Sequence, residues 1–295
     1  MAITAAMVKE LRERTGAGMM ECKKALVDTD GNMELSIENM RKSGAAKADK
    51  KAGRIAADGK VVISMNDDGT EAAIVEVNCE TDFVAKDDNF ITFCNAVSQA
   101  ALATKPADIA ELSATALDDS AVDGATVEEA RANLVAKIGE NMNVRRLELL
   151  SSDEPMGSYM HGVKIAVVVA LKGGDAALAK DVAMHVAATN PLCATAEDVP
   201  AETLEKERNI LIAQAKDSGK PDNIIEKMIE GRIRKYLAEI TLEGQPFVKD
   251  PDQTVAQLLK AAGAELISFT RVEVGAGIEK KQEDFASEVM AQIKS

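Results

Sequence analysis

The residues that could do bond chemistry in this chain are few and scattered. The 295 residues include four cysteines and two histidines. The cysteines are Cys22, Cys79, Cys94 and Cys193. They lie far apart and form no Cys-x-x-Cys pattern, which favours buried, reduced thiols over disulfides or a metal site. The histidines, His161 and His185, are too few and too widely separated for a zinc cluster.

The remaining catalytic patterns are also weak. The pairs Gly16-x-Gly18 and Gly275-x-Gly277 lack the lysine and the strand–glycine–helix context of a phosphate-binding loop. A nucleophilic role for Cys79 would need a neighbouring base, and no histidine lies near it in the sequence. We therefore expect no enzyme activity and no cofactor.

One polar stretch stands out instead, where Asp82 and Phe83 follow an apolar run that predicts a strand. Asp82 could be a plain helix N-cap, and Phe83 could pack under the first turn of the following helix. Alternatively, Phe83 is an aromatic anchor presented to a partner, with an acid beside it. Phe90 and Phe93, spaced i, i+3 in the predicted helix, are expected to face the core.

Composition excludes several classes of function. A formal net charge of −14 makes a nucleic-acid-binding protein a poor interpretation, because phosphate neutralisation needs Lys and Arg. The sequence has no apolar run of about 20 residues, the length that a membrane span requires. The N-terminus lacks a basic-then-apolar signal pattern. We expect a cytoplasmic protein with no membrane contact.

Several motifs together resemble the elongation factor Ts family. They fall in order along nearly the whole chain, and together they are far more specific than any one alone. The matching stretches are Leu11–Leu26, Glu76–Lys86, Ala136–Asn141, Ser158–Gly162 and Gly244–Val248. One departure is Lys249, where related sequences often carry Met, which puts an apolar contact there in doubt.

The resemblance implies a guanine nucleotide exchange factor for the translational GTPase elongation factor Tu. Binding of the exchanger and of the nucleotide would oppose each other reciprocally. Phe83 would insert near the nucleotide site of the GTPase, and Asp82 would disturb the groups that organise Mg²⁺. The implied partner-binding residues are Thr81, Asp82, Phe83 and Val84 in one loop, Arg12, Met19 and Met20 in an N-terminal module, and Ile138, Gly139 and His161 in the core.

Residue periodicity predicts an α+β fold in several parts. Residues 1–45 form three short helices, which the resemblance identifies as a ubiquitin-associated-like bundle; Met19 and Met20 either fill its core or protrude from it. The third helix is expected to end at Gly44. Residues 46–58 are expected to be a solvated linker or fraying helix that leaves the bundle mobile.

The order strand, strand, helix, later helix, strand occurs twice, which predicts a core of two related three-stranded antiparallel sheet subdomains. They cover residues 59–150, and 151–194 with 243–277. Arg145 and Arg146 are expected to be edge or partner-facing charges. Residues 104–125 are expected to be a surface excursion.

An insertion at residues 195–242 predicts an antiparallel helical hairpin, which the resemblance identifies as a coiled coil. Its helices would pair Leu204, Ile210, Leu211 and Ala215 with Ile224, Ile225, Met228 and Ile233, and Ser218–Pro221 would form the turn. An exposed apolar strip on the hairpin could pair with a second copy or contact elongation factor Tu. Residues 278–295 predict a C-terminal amphipathic helix with Phe285, Val289 and Ile293 on one face.

Two rival functions stay open from the sequence. One is a protein-binding scaffold without exchange activity, which differs from the main interpretation in whether GDP release accelerates. The other is a cysteine-dependent enzyme, which would lose its activity in Cys79→Ala.

Overall fold

The structure is a computed structural model that describes residues 2–117, 121–216 and 221–279. It combines ten α-helices with small sheets among these residues, so the α+β class is confirmed. None of the described helices is both long and apolar enough to span a bilayer. The predicted C-terminal helix, with Phe285, Val289 and Ile293, lies outside the described residues.

Three helices form the N-terminal bundle. They are α1 (Ala5–Thr15), α2 (Met19–Asp28) and α3 (Met33–Lys51). The side chains of Thr4 and Asn32 cap α1 and α3, as their sequence positions predict. The bundle core consists of Val8, Leu11, Cys22 and Leu26.

The prediction that α3 ends at Gly44 is wrong, because the helix continues to Lys51. Gly44 is buried, and a Cβ built on it would lie 3.5 Å from the Cβ of Ala136 on a core helix. Ala48 is 1% exposed and belongs to the core of the first sheet. Much of the predicted linker is therefore packed helix, so its first part is not a solvated tether.

The first sheet has the strand order β1-β2-β3. Its strands are β1 (Asp58–Met65), β2 (Glu71–Cys79) and β3 (Met142–Ser151). Three helices accompany it: α4 (Asp88–Thr104), α5 (Ile109–Ala114) and α6 (Val127–Ile138). Phe90 and Phe93 are 0% and 1% exposed in this core, as the i, i+3 spacing predicts. The expected surface excursion contains α5, whose Leu112 is fully buried.

The second sheet has the order β4-β5-β8. Its strands are β4 (Gly157–His161), β5 (Ile165–Lys172) and β8 (Glu265–Glu273). The same unit contains the helices α7 (Ala176–Thr189) and α10 (Val255–Ala261). It also contains a separate two-stranded sheet of β6 (Pro246–Phe247) and β7 (Asp250–Thr254). Strands β4 and β5 pair antiparallel, with Gly157 opposite Val169 and His161 opposite Ile165. A separate apolar core supports this sheet.

The inserted hairpin consists of α8 (Ala201–Lys216) and α9 (Asp222–Ile240). Leu211, Ile229 and Ile233 form its buried seam. The prediction that Ile210 and Ile224 belong to the packed faces of the hairpin is wrong, because these residues are 43% and 45% exposed. Pro221 caps α9 rather than occupying its first turn, and residues 218–220 of the predicted turn lie outside the described residues.

Arg145 and Arg146 are not the free edge charges that their strand position suggested. Both pair with the carboxylate of Glu76, which is fully buried on β2. Both also donate to the carbonyl of Ala276, and the Gly275 N–H donates to Glu76 Oε1 at 2.7 Å. This cluster pairs the buried Glu76 carboxylate with two partly exposed guanidinium groups, and it fastens the segment after β8 to the first sheet.

Candidate partner-binding site

The loop after β2 presents Phe83 to solvent. Its side chain is 81% exposed, the largest exposure among the big apolar side chains that the structure describes. The next two residues, Val84 and Ala85, are 8% and 1% exposed and begin a short 3₁₀ turn. Phe83 therefore does not pack under a helix, and it projects from a base that is held in the core.

Asp82 is not the N-cap of the following helix. Asp87 caps α4, and its carboxylate accepts the N–H groups of Asn89 and Phe90 at 2.9 and 3.3 Å. Burial raises the pKa of Asp87, but the hydrogen bonds from Asn89 and Phe90 outweigh it and lower that pKa overall. Asp82 instead accepts a 2.7 Å bond from the ammonium of Lys86. Its carboxylate lies at the surface beside Phe83.

Two glutamates join this loop to the end of α6 through reciprocal hydrogen bonds. Glu140 accepts the Thr81 N–H at Oε2 (3.0 Å) and the Thr81 hydroxyl at Oε1 (2.8 Å). Glu80 in turn accepts the Asn141 N–H at 2.6 Å. Each carboxylate thus binds the N–H of the residue after the other glutamate. We call Glu80, Thr81, Glu140 and Asn141 the glutamate clasp.

The end of α3 meets the same clasp. The Asn141 side chain donates to the carbonyls of Ala52 and Arg54, at 3.3 and 2.7 Å. The ammonium of Lys51 donates to the Gly139 carbonyl. Sequence reasoning missed Glu80, Glu140 and Asn141 as positioning groups, because their partners lie about 60 residues away along the chain.

Ile138 and Gly139 form the C-terminal end of α6. Gly139 has φ +94° and its N–H bonds the Val135 carbonyl, so it closes the helix in a conformation that favours glycine. Ile138 is half-buried against the first core. Through Glu140, the structure brings Ile138 and Gly139 together with the Phe83 loop.

Arg12, Met19 and Met20 lie on the N-terminal bundle rather than in that loop. Met19 and Met20 are 55% and 76% exposed, so neither fills the bundle core. The Gly16 N–H closes α1 on the Arg12 carbonyl, and Arg12 is exposed. All three predicted contact residues of the bundle are therefore accessible to solvent.

The two histidines have different environments. His161 is exposed at the end of β4, with its Nδ1 3.4 Å from the Tyr159 hydroxyl. His185 is fully buried on α7, where the Val248 N–H donates to Nδ1 at 3.2 Å and Nε2 lies 2.9 Å from Gln245 Oε1. Burial lowers the pKa of His185, and the bond to Gln245 opposes this only in part.

The thiols have packing roles. Cys79 is fully buried, and its thiol lies 3.1 Å from the Thr81 carbonyl, beneath the loop. Burial raises the pKa of the Cys94 thiol far above its ordinary value, which keeps it protonated. Within the described ranges, no group of three or more His, Cys, Asp or Glu side chains is placed to hold a metal ion.

Comparison with known proteins decides the family. The model of the family "Elongation factor TS" matches residues 80–276. The chain is 63% identical to elongation factor Ts of Thioalkalivibrio sulfidiphilus over 296 residues, which cover 100% of this chain and 99% of that protein. The chain belongs to the elongation factor Ts family. Elongation factor Ts of Methylococcus capsulatus is 58% identical and of Idiomarina loihiensis 59% identical; the matches cover 100% and 99% of this chain, and 100% and 98% of those proteins.

Proposed function

We propose that this chain accelerates GDP release from elongation factor Tu through the loop Thr81–Val84. A role as nucleotide exchange factor in translation elongation follows from its membership of the elongation factor Ts family. The observation that carries the assignment to this loop is the 81% exposure of Phe83 above a buried base. A large aromatic side chain in that position gains free energy when it leaves water and enters an apolar pocket on a partner.

The proposed mechanism uses two adjacent side chains. Phe83 enters between helices of the GTPase near its nucleotide site and separates them. Asp82 then competes electrostatically with the groups that organise Mg²⁺ around GDP. Because the exchanger and the nucleotide bind the GTPase antagonistically, each one when bound lowers the affinity of the GTPase for the other by the same factor. GDP leaves faster, and incoming GTP expels the exchanger without any bond chemistry.

Other surfaces supply affinity in this proposal. Met19 and Met20 offer exposed, adaptable thioethers, and Arg12 on α1 adds a charge to the same module. Ile138 and Gly139, beside the Phe83 loop, and His161 on β4 provide contacts of the core. Lys249 is bound to Asp181 at 2.6 Å, so we assign it no apolar contact.

Finer features of the fold belong to the same proposal. The three-helix bundle is ubiquitin-associated-like, and residues 195–242 are a coiled coil. Ile210 and Ile224, exposed on the hairpin, are the proposed surface for self-association or a second contact with elongation factor Tu. Sedimentation velocity over a range of concentrations tests self-association, and a single monomeric species would reject it. We place the activity in the cytoplasm.

The test is stopped-flow release of a fluorescent GDP from elongation factor Tu. The chain should accelerate release, and Phe83→Ala should lose transition-state stabilisation on the order of 2 kcal/mol. The double variant Asp82→Ala/Phe83→Ala should remove most of the acceleration. Leu192→Ala is the matched control, because Leu192 is also a large exposed apolar residue, at 56% exposure.

The outcomes separate the candidate functions. Binding without acceleration would make the chain a scaffold. Normal acceleration by folded Phe83→Ala would remove this loop from the mechanism. Cys79→Ala should still accelerate GDP release, because the buried thiol packs beneath the loop and bonds the Thr81 carbonyl but is not exposed to a partner.

A further inference from the structure

We propose that Glu140 is a positioning residue for nucleotide exchange, acting through Thr81 on the direction in which Phe83 projects. This inference rests on the proposed function of the loop and adds a residue to it. Glu140 need not touch the partner in this proposal. Its carboxylate fixes the backbone conformation of the loop that carries Phe83.

The hydrogen bonds reach both ends of the presented segment, Thr81 directly and Val84 through the Thr81 hydroxyl. Glu140 holds the Thr81 N–H and hydroxyl at 3.0 and 2.8 Å. The Thr81 hydroxyl oxygen also accepts the Val84 N–H at 3.4 Å. Phe83 therefore lies between two residues that are linked through one hydroxyl. A carboxylate acceptor makes the two bonds to Thr81 charge-assisted, which strengthens them over neutral bonds.

Phe83 depends on its backbone for orientation. At 81% exposure, the ring has few neighbours in the free chain to select its position. The direction of its Cα–Cβ bond is then set by the conformation of residues 81–84. A second link opposes rotation of the loop, since Glu80 bonds the Asn141 N–H at 2.6 Å. The two glutamates thus make three hydrogen bonds between the same two loops, and together these resist a hinge motion that the bonds of either glutamate alone would permit.

Glu140 should raise the exchange rate by preorganising the Phe83 loop before the partner binds. A wedge that is already aimed pays less conformational entropy when it enters a pocket. An error of about 1 Å in the placement of a reacting or displacing group can cost about a hundredfold in rate. Loss of the Glu140 bonds should therefore lower the exchange rate more than it lowers affinity, to which the methionines of the bundle also contribute.

The first experiment separates rate from affinity with three variants. In Glu140→Ala, the maximal rate of GDP release at saturating exchanger should fall about tenfold, while the half-saturating concentration changes less than about threefold. Glu140→Gln should recover most of the rate, because its amide can accept from the Thr81 N–H and donate to the hydroxyl.

Glu129→Ala is the matched control. Glu129 lies on α6, the helix that ends just before Glu140, and its carboxylate also binds a backbone N–H, that of Ala125 at 3.0 Å. The control removes the same charge and the same kind of bond without touching the Phe83 loop. Its exchange rate should remain within about twofold of the unchanged chain.

A second experiment reads the orientation of the side chain without any partner. The chain contains no tryptophan. Phe83→Trp therefore places a single indole in the free protein, excitable apart from the two tyrosines. Time-resolved anisotropy should show a larger fast component when Glu140→Ala is added, and a smaller one when Glu140→Gln is added instead. An unchanged fast component would overturn the positioning role.

The double variant Phe83→Ala/Glu140→Ala completes the test. If Glu140 acts through Phe83, the double variant should release GDP at the rate of Phe83→Ala alone. Additive losses would show that Glu140 acts by another route. Loss in Phe83→Ala with full activity in folded Glu140→Ala would overturn this inference and leave the loop's function intact. Full activity in both would instead reject the proposed function.

Should Glu140→Ala fail to fold, Thr81→Val removes the hydroxyl that donates to Glu140 and accepts the Val84 N–H, and it keeps the Thr81 N–H bond to Glu140. It should lower the maximal rate in the same direction. A folded Thr81→Val protein with an unchanged rate and unchanged anisotropy would overturn the proposal.

Discussion

Phe83, Phe90 and Phe93 lie within one short segment, yet only two of them stabilise the fold. Phe90 and Phe93 are 0% and 1% exposed on α4, and Phe83 is 81% exposed. A buried phenylalanine raises the free energy of unfolding, whereas an exposed one is available to contact a partner. Stability and exchange can therefore be separated by variants only a few residues apart.

Phe90→Ala should lower the free energy of unfolding by about 3–5 kcal/mol, because it leaves a cavity in the first core. Phe83→Ala should change that free energy by no more than about 0.5 kcal/mol. Urea denaturation followed by circular dichroism measures both. Equal losses of stability in the two variants would contradict the environments described here.

His185 makes the stability of the second unit depend on pH. Its pKa lies below the ordinary 6.5 when folded, because burial disfavours the imidazolium. The unfolded chain then binds more protons than the folded chain between the two pKa values. The contribution is complete above pH 6.5 and is lost as pH falls through the lowered folded pKa.

Comparison with His185→Gln isolates this effect, since glutamine does not titrate. The loss of free energy of unfolding on acidification should be smaller in the variant. Carboxylates titrate in both proteins and cancel in the difference. Parallel pH curves from urea titrations would show that His185 makes no contribution. A contribution is expected because a protonated Nδ1 could no longer accept the hydrogen bond from the Val248 N–H.

At the scale of elements, α3 shows how tertiary packing overrides a local signal. Glycine after a helical run commonly marks a C-terminus, which is why Gly44 was expected to end the helix. In the structure it allows close packing instead, since Asn133 and Ala136 of α6 lie against it. The helix gains core contacts through Ala48.

Gly44→Ala should raise the free energy of unfolding by about 0.5–1 kcal/mol, because alanine restricts the unfolded chain and favours the helix. The added Cβ would lie 3.5 Å from Ala136 Cβ and 3.6 Å from Asn133 Oδ1, both ordinary contacts. Gly31→Ala is the contrasting control, with φ +85° and a contact of 3.0 Å to Met7 Cε. It should lower the free energy of unfolding, and thermal or urea melts would reveal the opposite signs.

Strong periodicity made most elements predictable to within a residue or two. Strand β5 (Ile165–Lys172) followed by helix α7 (Ala176–Thr189) reproduces the strand-then-helix order predicted for the second unit. Side-chain pairings across the hairpin were less predictable. Ile210 and Ile224 each fit an apolar helix pattern, but the rotation of each helix about its axis decides which residues are buried.

The candidate site shows the same division. Loop position and family resemblance were sufficient to single out Asp82 and Phe83, and the exposure of Phe83 agrees with a presented side chain. The partners of Thr81 were not predictable, because Glu140 is 59 residues away along the chain. Such a contact depends on how α6 ends beside β2, which no local pattern contains. The roles of these residues at the GTPase stay predictions.

At the scale of the whole molecule, the described chain divides into two compact units, each with its own sheet. The first comprises residues 2–64, 73–149 and 273–279 of the described ranges, and the second comprises 65–72 and 150–272. The first unit thus gathers the chain's beginning and the segment after β8. Glu76 holds the segment after β8 in the first unit, because its carboxylate accepts the N–H of Gly275, 199 residues away along the chain.

Glu76→Ala should lower the free energy of unfolding by about 1–3 kcal/mol, because it leaves the Gly275 N–H and two partly exposed arginines without their carboxylate. Amide hydrogen exchange should also speed up at Gly275, whose N–H loses its acceptor. Glu13→Ala is the control, because it removes an exposed pair with Lys9 and should barely alter stability. A Glu76→Ala protein as stable as the control would show that solvent or other groups satisfy the arginines.

Because α3 is continuous from Met33 to Lys51, it restricts the insertions that residues 33–51 can accept. One residue added to a flexible tether only lengthens it, but in an α-helix it advances the axis by about 1.5 Å and turns everything beyond by about 100°. Insertions near Gly44 would swing Met19 and Met20 around the core in discrete angular steps. Three or four added residues nearly restore their original azimuth, whereas one or two turn them to another face. The region should tolerate added length in whole helical turns.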